Sequence, residues 1–311
     1  MLRSIYNDLK AEFDYGNRVN QLVIINVAIF ILASVLNFIL FLSNGGKPSW
    51  LFEQIIKYMA MSSDGLFVLT HPWIIITNMF FHLEFFHILW NMLLFIWFGR
   101  VTGDFLGNHR ILFLYFCGGI LGSALFFISA NVLPYGSGGT RMALGASAAI
   151  MSVVVAAGTI APDYHFRLLF IGDVKLKFIV LALLLIDLIS ITANTNTGGH
   201  FAHLGGAILG WVFVRLLQEG HDLSLPFNRM AEYIQYLFSS NKASHRRNNP
   251  LKVIHKRNRP KEKSSKERDV QKGNSLDYQS QLDNILDKIK QKGYDSLSDE
   301  EKEFLFQASK K

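Results

Sequence analysis

The chain has 311 residues, 50% of them hydrophobic and 18% charged, and a formal net charge of +7. Soluble domains carry about 25% charged residues, so this composition argues against an ordinary soluble protein. The charge is also uneven: residues 1–219 hold 12 Lys and Arg against 11 Asp and Glu, whereas residues 220–311 hold 19 against 13. We therefore predict a nearly neutral membrane domain followed by a basic soluble extension. The single cysteine, Cys117, excludes an internal disulfide.

Residues 1–20 mix acidic and basic side chains, and we interpret them as a cytoplasmic segment without a cleaved signal peptide. Six apolar runs follow. The first has 21 residues without a charge and would rise about 31 Å as a helix, enough for one bilayer core. The predicted spans are Leu22–Leu42, Phe81–Phe98, Ile111–Val132, Met142–Ile160, Phe178–Ile191 and Gly199–Val214. Because no two-residue alternation supports a barrel, we predict an all-α membrane bundle of six transmembrane helices over residues 21–218.

The loop between the first two spans has a helical pattern of its own. Leu51, Ile55 and Met59 recur every four residues, which predicts a short helix lying in the membrane interface. Trp50 and Trp73 suit the level of the lipid headgroups. The fold class therefore includes an interfacial first loop.

Basic residues in the connections orient the spans, because Lys and Arg concentrate in cytoplasmic loops. They occur in the N-terminal segment and after every second span, at Arg3, Lys10, Arg18, Arg100, Arg110, Arg167, Lys175 and Lys177, and again in the tail. We expect a multi-pass protein of a bacterial cytoplasmic membrane with both termini in the cytoplasm. Spans two, four and six then enter from the outer face.

Polar residues within spans are costly, so each one is a functional candidate. Ser147 lies six residues past Arg141 and His203 seven past Asn196, which places both roughly 10 Å along their helices. The outer part of span two carries three further polar residues, namely His82, His87 and Asn91. Polar groups from three helices therefore reach one depth, and this convergence predicts a single site.

Small residues suggest how two of these groups could meet. Gly145 precedes Ser147, and Gly206 and Gly210 follow His203 at helical spacing, so spans four and six could pack closely. A serine hydroxyl becomes a strong nucleophile only when a base takes its proton, and neutral imidazole can be that base. Ser147 and His203 are therefore candidate catalytic residues.

A tetrahedral oxyanion also needs hydrogen-bond donors that are already in place. His87 and Asn91 lie four residues apart on one face of span two and could supply them, together with the backbone N–H of Ser147.

Three segments in chain order carry a family resemblance: His82, His87 and Asn91 in the spacing H-x4-H-x3-N, Gly145-Ala146-Ser147 as G-x-S, and Ala202-His203 with Gly206 and Gly210 as A-H-x2-G-x3-G. Over roughly residues 20–217 the chain resembles the rhomboid family of intramembrane serine proteases, of bacterial type and with a C-terminal cytoplasmic extension. The resemblance implies a Ser147–His203 dyad without an acidic third member and without metal or cofactor. It implies oxyanion stabilisation by Asn91 and His87, with His82 and the glycines in supporting roles. The implied substrates are single-span membrane proteins cut in or near the span.

Several alternatives stay open. His200 shares a face with His203, and we interpret it as a rim residue. Asp187 in span five is interpreted as a structural partner of a neighbouring span. A rhomboid-like protein that only binds clients is the first alternative function. The second is a metal-dependent membrane hydrolase built on the four intramembrane histidines, His82, His87, His200 and His203, although no carboxylate or cysteine is expected to complete that ligand set.

The tail divides into two parts. Residues 219–275 form a predicted basic linker, and within it residues 242–269 hold 11 Lys and Arg against three acids. This linker should attract anionic lipid at the cytoplasmic face of the bilayer, and no specific nucleic acid is expected. Residues 276–311 form a predicted helical hairpin. Its first helix has an apolar stripe (Leu282, Ile285, Leu286, Ile289) and ends at Gly293, and a capping box of Ser298 and Glu301 begins its second helix.

Overall fold

The computed structural model describes residues 7, 10–13, 17–134, 139–168, 172–192, 196–238, 281–290 and 296–308. The chain divides into two compact units, residues 1–242 and 243–311. The helices of the first unit are α1 (Arg18–Ser43), α2 (Trp50–Met59), α3 (Gly65–Thr70), α4 (Ile74–Thr77), α5 (Phe85–Leu106), α6 (Ile111–Val132), α7 (Ser147–Ile160), α8 (Leu176–Thr192), α9 (Thr197–Gln218) and α10 (Ser224–Phe238). Short 3₁₀ turns occupy Asn78–Phe80 and Asn108–Arg110.

Four short strands form two antiparallel ribbons. Strand β1 (Met61–Ser62) pairs with β2 (Met142–Ala143), and β3 (His165–Leu168) pairs with β4 (Gly172–Lys175). In the first ribbon Met61 lies opposite Ala143. This ribbon ties the first loop to the segment that leads into α7.

The six predicted spans correspond to α1, α5, α6, α7, α8 and α9. Four of them, α1, α5, α6 and α9, are long and apolar enough to cross a membrane by length and composition. Helices α7 and α8 are shorter, with 14 and 17 residues. The predicted all-α membrane bundle is confirmed.

Two predicted boundaries are wrong, and both errors concern the entry to a span. The fourth span is predicted to begin at Met142. The structure begins α7 only at Ser147, because Met142 and Ala143 form strand β2. The second was expected from Phe81, but α5 begins at Phe85, and His82 lies in the preceding loop. The apolar pattern continues through both loops, so hydropathy alone extended the helices too far.

Helix α9 packs along both α7 and α6 at the centre of the bundle. Glycines make the α7 contact possible. A Cβ atom on Gly206 would overlap the carbonyl oxygen of Ala148, and one on Gly210 would overlap that of Ser152. The small-residue surface predicted for this helix is therefore the surface along which it meets α7.

Buried polar groups join α1 to the rest of the unit. The hydroxyl of Tyr115 on α6 donates to the backbone carbonyl of Met79 at 2.9 Å and accepts from the Asn26 amide at 3.0 Å. Both side chains are fully buried, so these bonds satisfy groups that would otherwise be costly.

Helix α2 confirms the helix predicted in the first loop, although its buried residue is Ile56 and Leu51 is exposed. Two side chains, one just before α4 and one at its end, bind the last carbonyl groups of α2. The indole N–H of Trp73 donates to the carbonyl of Tyr58 at 3.0 Å, and the Thr77 hydroxyl donates to that of Met59 at 2.9 Å.

The second unit contains α11 (residues 281–290) and α12 (Asp299–Ala308). The predicted capping box is present: Glu301 accepts from the Ser298 backbone N–H at 2.8 Å, and Ser298 Oγ accepts from the Glu301 N–H at 3.3 Å. Lys288 of α11 pairs with Glu301 at 2.8 Å. Gly293 and most of the predicted linker lie outside the described residues, and the domain limits stay a prediction.

Candidate active site

Ser147 and His203 meet across the interface of α7 and α9. Ser147 is the first residue of α7, and its Oγ lies 2.7 Å from Nε2 of His203, the seventh residue of α9. Both side chains are half-buried. The sequence predicts Ser147 roughly 10 Å along its helix, whereas the structure places it at the first position of α7. The predicted meeting of the two side chains is nevertheless observed.

The loop before Ser147 is held by backbone hydrogen bonds. The N–H of Gly145 donates to the carbonyl of Asn78 at 2.9 Å, and the N–H of Ser63 donates to that of Arg141 at the same distance. Gly145 has a φ of +123°, which favours glycine, and a Cβ there would lie 2.8 Å from Cε1 of His87. Gly145 therefore provides both the turn and the space that the chain needs immediately before the serine.

His82 supports this loop and is not among the residues that line the cavity around Ser147 and His203. Its side chain is 1% exposed, and its Nε2 accepts the N–H of Ala146 at 3.2 Å. Since Nε2 is the acceptor, a neutral His82 carries its proton on Nδ1. His82 thus fixes the residue directly before Ser147.

The start of α7 offers backbone donors beside the Ser147 hydroxyl. The first hydrogen bond in this helix runs from Ile150 N–H to the carbonyl of Ala146 at 2.9 Å, and no side chain caps this end among the described residues. The N–H groups of Ser147, Ala148 and Ala149 therefore have no partner within the helix. A helix N-terminus of this kind favours negative charge.

Two side chains of α5 face the same space. His87 and Asn91 both line the cavity that contains Ser147 and His203. The Asn91 amide donates one N–H to the backbone carbonyl of His87 at 2.9 Å. An amide nitrogen has two N–H groups, so the second can serve a ligand.

Asp187 of α8 contacts the imidazole of His203 from the side opposite Ser147. Its Oδ1 lies 2.7 Å from Nδ1 of His203 and also 2.7 Å from Nδ1 of His200. The carboxylate side chain is only 9% exposed. The chain therefore contains a carboxylate–imidazole–hydroxyl series, whereas the family resemblance implies a dyad without an acidic third member. Sequence reasoning correctly expected a bond from Asp187 to a neighbouring span but did not identify the partner.

A signal for Asp187 was present in the sequence. Asp187 lies five residues before the end of span five at Thr192. His203 lies six residues after the start of span six at Thr197. Counting from the connection between these two spans puts both residues at a similar depth. The expectation that no carboxylate accompanies the histidines is therefore wrong: Asp187, His200 and His203 form a group with metal-ligating atoms within 4.8 Å of one another, and His82 and His87 are not part of it.

The site opens into a cavity of about 840 Å³. Its walls include Phe86 and Trp90 of α5 and Leu183 and Ile186 of α8, and its polar lining includes Asn91, Ser147 and His203. Helices α5 and α8 flank it with little direct contact in the described part of the chain. The cavity can therefore admit both water and an apolar segment.

Residues 69–219 match the family model described as "Rhomboid domain", and residues 274–311 match a family of unknown function (DUF6576). The chain is also similar to mitochondrial presenilin-associated rhomboid-like proteins. It is 28% identical over 150 residues to protein A of Danio rerio, covering 48% of this chain and 37% of that protein. It is 27% identical to the Bos taurus protein and 28% identical to the Homo sapiens protein over 173 residues, covering 55% of this chain and 43% of each relative.

The chain spans less than half the length of these curated relatives. The matched region includes α5 to α9 and with them Ser147, His203 and Asp187. The bundle is rhomboid-like, and residues 69–219 of this integral membrane protein resemble a rhomboid domain.

Proposed function

We propose that this protein is an intramembrane serine endopeptidase that cleaves transmembrane segments of other membrane proteins. The observation that carries the proposal is the 2.7 Å contact between Ser147 Oγ and His203 Nε2 inside a cavity of the membrane bundle. A serine bonded to an imidazole in reach of water is the arrangement that acyl transfer requires. Neither side chain would need to move far for the first step.

In that step His203 Nε2 accepts the hydroxyl proton while Ser147 Oγ attacks the carbonyl carbon of the scissile peptide. The resulting oxyanion lies at the N-terminus of α7, where the backbone N–H of Ser147 and the amide of Asn91 can donate to it. His203 then gives its proton to the leaving amine. Water from the cavity repeats the sequence on the acyl-enzyme and releases the second product.

Asp187 positions the imidazole for these transfers. A carboxylate oxygen at 2.7 Å from Nδ1 holds the proton on that nitrogen and leaves Nε2 free to accept. It also stabilises the imidazolium that forms. The proposed machinery is therefore a Ser147–His203 pair with an acidic positioning residue.

The substrates that fit this geometry are single-span membrane proteins. The apolar side chains of α5 and α8 around the cavity suit a transmembrane segment arriving from the bilayer, and the polar floor suits a locally unwound one. The lipid bilayer is the second partner, with anionic lipid near the basic tail. No specific nucleic acid is part of the proposal.

We also propose that the protein lies in a bacterial cytoplasmic membrane. The basic residues in alternate connections support an orientation with both termini in the cytoplasm. A C-terminal reporter enzyme that is active only in the cytoplasm would test this orientation. An inactive reporter, together with full activity of a C-terminal reporter that works only outside the cytoplasm, would reverse it.

The test of the activity is cleavage of a tagged single-span substrate by the purified protein in liposomes. Ser147→Ala and His203→Ala should each lower the cleavage rate by about 10⁴-fold or more, because the nucleophile and base act as a unit. His200→Ala is the matched control, since His200 lies on the same helix and bonds to the same Asp187 oxygen. We expect that variant to cleave within several-fold of the wild-type rate.

Three outcomes would contradict the proposal. Equal cleavage by wild type and Ser147→Ala would exclude Ser147 as the nucleophile. A folded wild-type protein that binds single-span clients but cleaves none would favour the non-catalytic client-binding alternative. Loss of cleavage on adding a chelator would favour the metal-dependent hydrolase.

A further inference from the structure

Three potential metal ligands meet beside the candidate nucleophile. Asp187 Oδ1 lies 2.7 Å from Nδ1 of both His200 and His203, and one donor atom from each residue lies within 4.8 Å of the others. The proposed proton transfer at Ser147 uses His203 and Asp187 and leaves His200 without a task. The mechanism requires two of these three side chains, so the third needs another explanation.

The donor set suits a divalent transition metal. Zn²⁺ binds imidazole nitrogen at about 2.0–2.1 Å and carboxylate oxygen at about 2.0–2.2 Å, commonly with three protein ligands and a water. A tetrahedral site with these bond lengths separates its donor atoms by about 3.3 Å. The observed N···O distances of 2.7 Å would therefore need to open by only about half an ångström, which small side-chain rotations can supply.

The three side chains are also reachable. They are 9–19% exposed, and Asp187 and His203 line the cavity, which could supply the fourth ligand as water. The two histidines lie three residues apart on α9, a spacing that puts both on one face of a helix.

We propose that Asp187, His200 and His203 form an inhibitory binding site for a divalent transition-metal ion, with Zn²⁺ as the best fit. This inference rests on the proposed protease activity, because inhibition is the consequence of occupying the site. It reverses the role of metal in the alternative hydrolase: the ion stops the reaction that the serine performs.

The inhibition follows from which nitrogen of the His203 ring carries the proton. With Asp187 at Nδ1, the neutral His203 ring carries its proton on Nδ1, and Nε2 accepts from Ser147. A metal ion takes the lone pair of Nδ1, so the proton of the neutral ring must be on Nε2. His203 then donates to Ser147 Oγ and cannot remove its proton. The ring gains and loses no net proton, but Nε2 of His203 can no longer act as the general base.

The direct test uses Ser147→Ala, which retains all three ligands and needs no catalysis. The full-length, tag-free variant is stripped with chelator and titrated with Co²⁺. A visible absorption spectrum of tetrahedral cobalt that saturates at one ion per chain and is displaced by Zn²⁺ is expected. Absence of that spectrum in a folded protein would overturn the proposal, whatever the activity of the wild type.

The functional test titrates Zn²⁺ against cleavage of the single-span substrate by the wild-type protein. Cleavage should fall with rising Zn²⁺ and return fully with chelator. His200→Ala should retain cleavage within several-fold while needing at least about tenfold more Zn²⁺ for half-inhibition, because it removes one ligand of three. His165→Ala is the matched control, since His165 lies in β3 outside the site, and its inhibition curve should match that of the wild type.

The remaining outcomes separate this proposal from the proposed function. Equal Zn²⁺ sensitivity in wild type and His200→Ala would overturn the metal site and leave the protease intact. Cobalt binding by Ser147→Ala together with a wild type that cleaves nothing would retain the metal site and overturn the protease. Cleavage that requires Zn²⁺ would overturn the inhibitory role.

Discussion

Asp187 is an ionisable side chain in a membrane span, and such residues are rare unless a partner stabilises them. Its partners are two imidazoles, one of which also contacts the Ser147 hydroxyl. A carboxylate that orients a histidine can determine which ring nitrogen carries the proton. Loss of the Asp187 carboxylate should therefore lower the catalytic rate more than it lowers the stability of the fold.

We expect Asp187→Asn to lower kcat by about 10²–10⁴-fold with little change in KM. The amide can donate to Nδ1 of His203, which would leave the proton on Nε2 and remove the base. Initial rates across a substrate series in liposomes, with the pH–rate profile, measure this, since a purely structural residue would not alter the profile of the remaining activity.

Asp163→Asn is the control for this change, because that carboxylate lies in the connection after α7, bonded to Lys175 and Lys177 at 3.1 and 2.8 Å. We expect its kcat to equal that of the wild type. A kcat for Asp187→Asn within twofold of wild type would mean that Ser147 and His203 work as a dyad.

The candidate site could be read from the sequence only in part. Ser147, His203, His87 and Asn91 were predicted together because polar residues in apolar spans stand out. The contact of Asp187 with His203 was missed because it requires the relative rotation of two helices, which periodicity in weakly amphipathic spans does not provide. A supporting role was predicted for His82, but its partner was likewise missed, since that partner is a backbone N–H in a loop.

At the scale of elements, the short α7 explains the geometry of the site. The chain from Arg141 to Ala143 pairs with the first loop and a bend follows at Gly145 and Ala146, so the helix begins only at the nucleophile. Hydropathy predicted a longer helix from Met142 because the loop is apolar too. The number and order of spans were predictable from composition, whereas the helix start depended on strand pairing between distant segments.

The contact between α7 and α9 gives a prediction about packing. Gly206→Ala places a methyl group against the carbonyl oxygen of Ala148, one residue after Ser147, so α9 must shift away. We expect a loss of about 1–3 kcal/mol in the free energy of unfolding. Cleavage should fall as well, because His203 lies on the displaced helix. Denaturant unfolding in detergent and the cleavage assay measure the two effects.

Gly103→Ala is the matched control, because a Cβ atom there meets nothing within 4 Å. Alanine favours a helix over glycine by roughly 1 kcal/mol, so this variant should be as stable as the wild type or slightly more stable. Equal unfolding free energies for Gly206→Ala and wild type would show that the helix interface adapts without cost.

At the scale of the whole first unit, an ion pair joins the α5–α6 connection to the α9–α10 connection. Arg110, immediately before α6, binds Asp222, between α9 and α10, through Nη2 at 2.6 Å and Nε at 3.0 Å. The other oxygen of Asp222 accepts from the N–H and hydroxyl of Ser224 at 2.9 and 2.6 Å. Asp222 thus fixes the start of α10 against the α5–α6 connection.

The ionisation of Asp222 gives this clamp a pH dependence. Partial burial acts to raise the pKa of its carboxyl, but the hydrogen bonds from Arg110 and Ser224 outweigh it and hold the pKa below the ordinary value of 3.8. A group with a lowered pKa in the folded state contributes stability above its unfolded pKa and loses it as pH falls through the folded pKa. The contribution should therefore be complete above about pH 5 and decline below about pH 4.

Asp222→Asn should cost about 1–3 kcal/mol at neutral pH, because it removes charge-assisted hydrogen bonds at a partly buried position. The difference in unfolding free energy between wild type and Asp222→Asn should be constant from pH 7 to pH 5 and shrink below pH 4. Asp173→Asn, in exposed strand β4, should show no such difference at any pH. A difference that stays constant down to pH 3 would mean that Asp222 acts through its shape and not through its charge, so the clamp would be a packing contact.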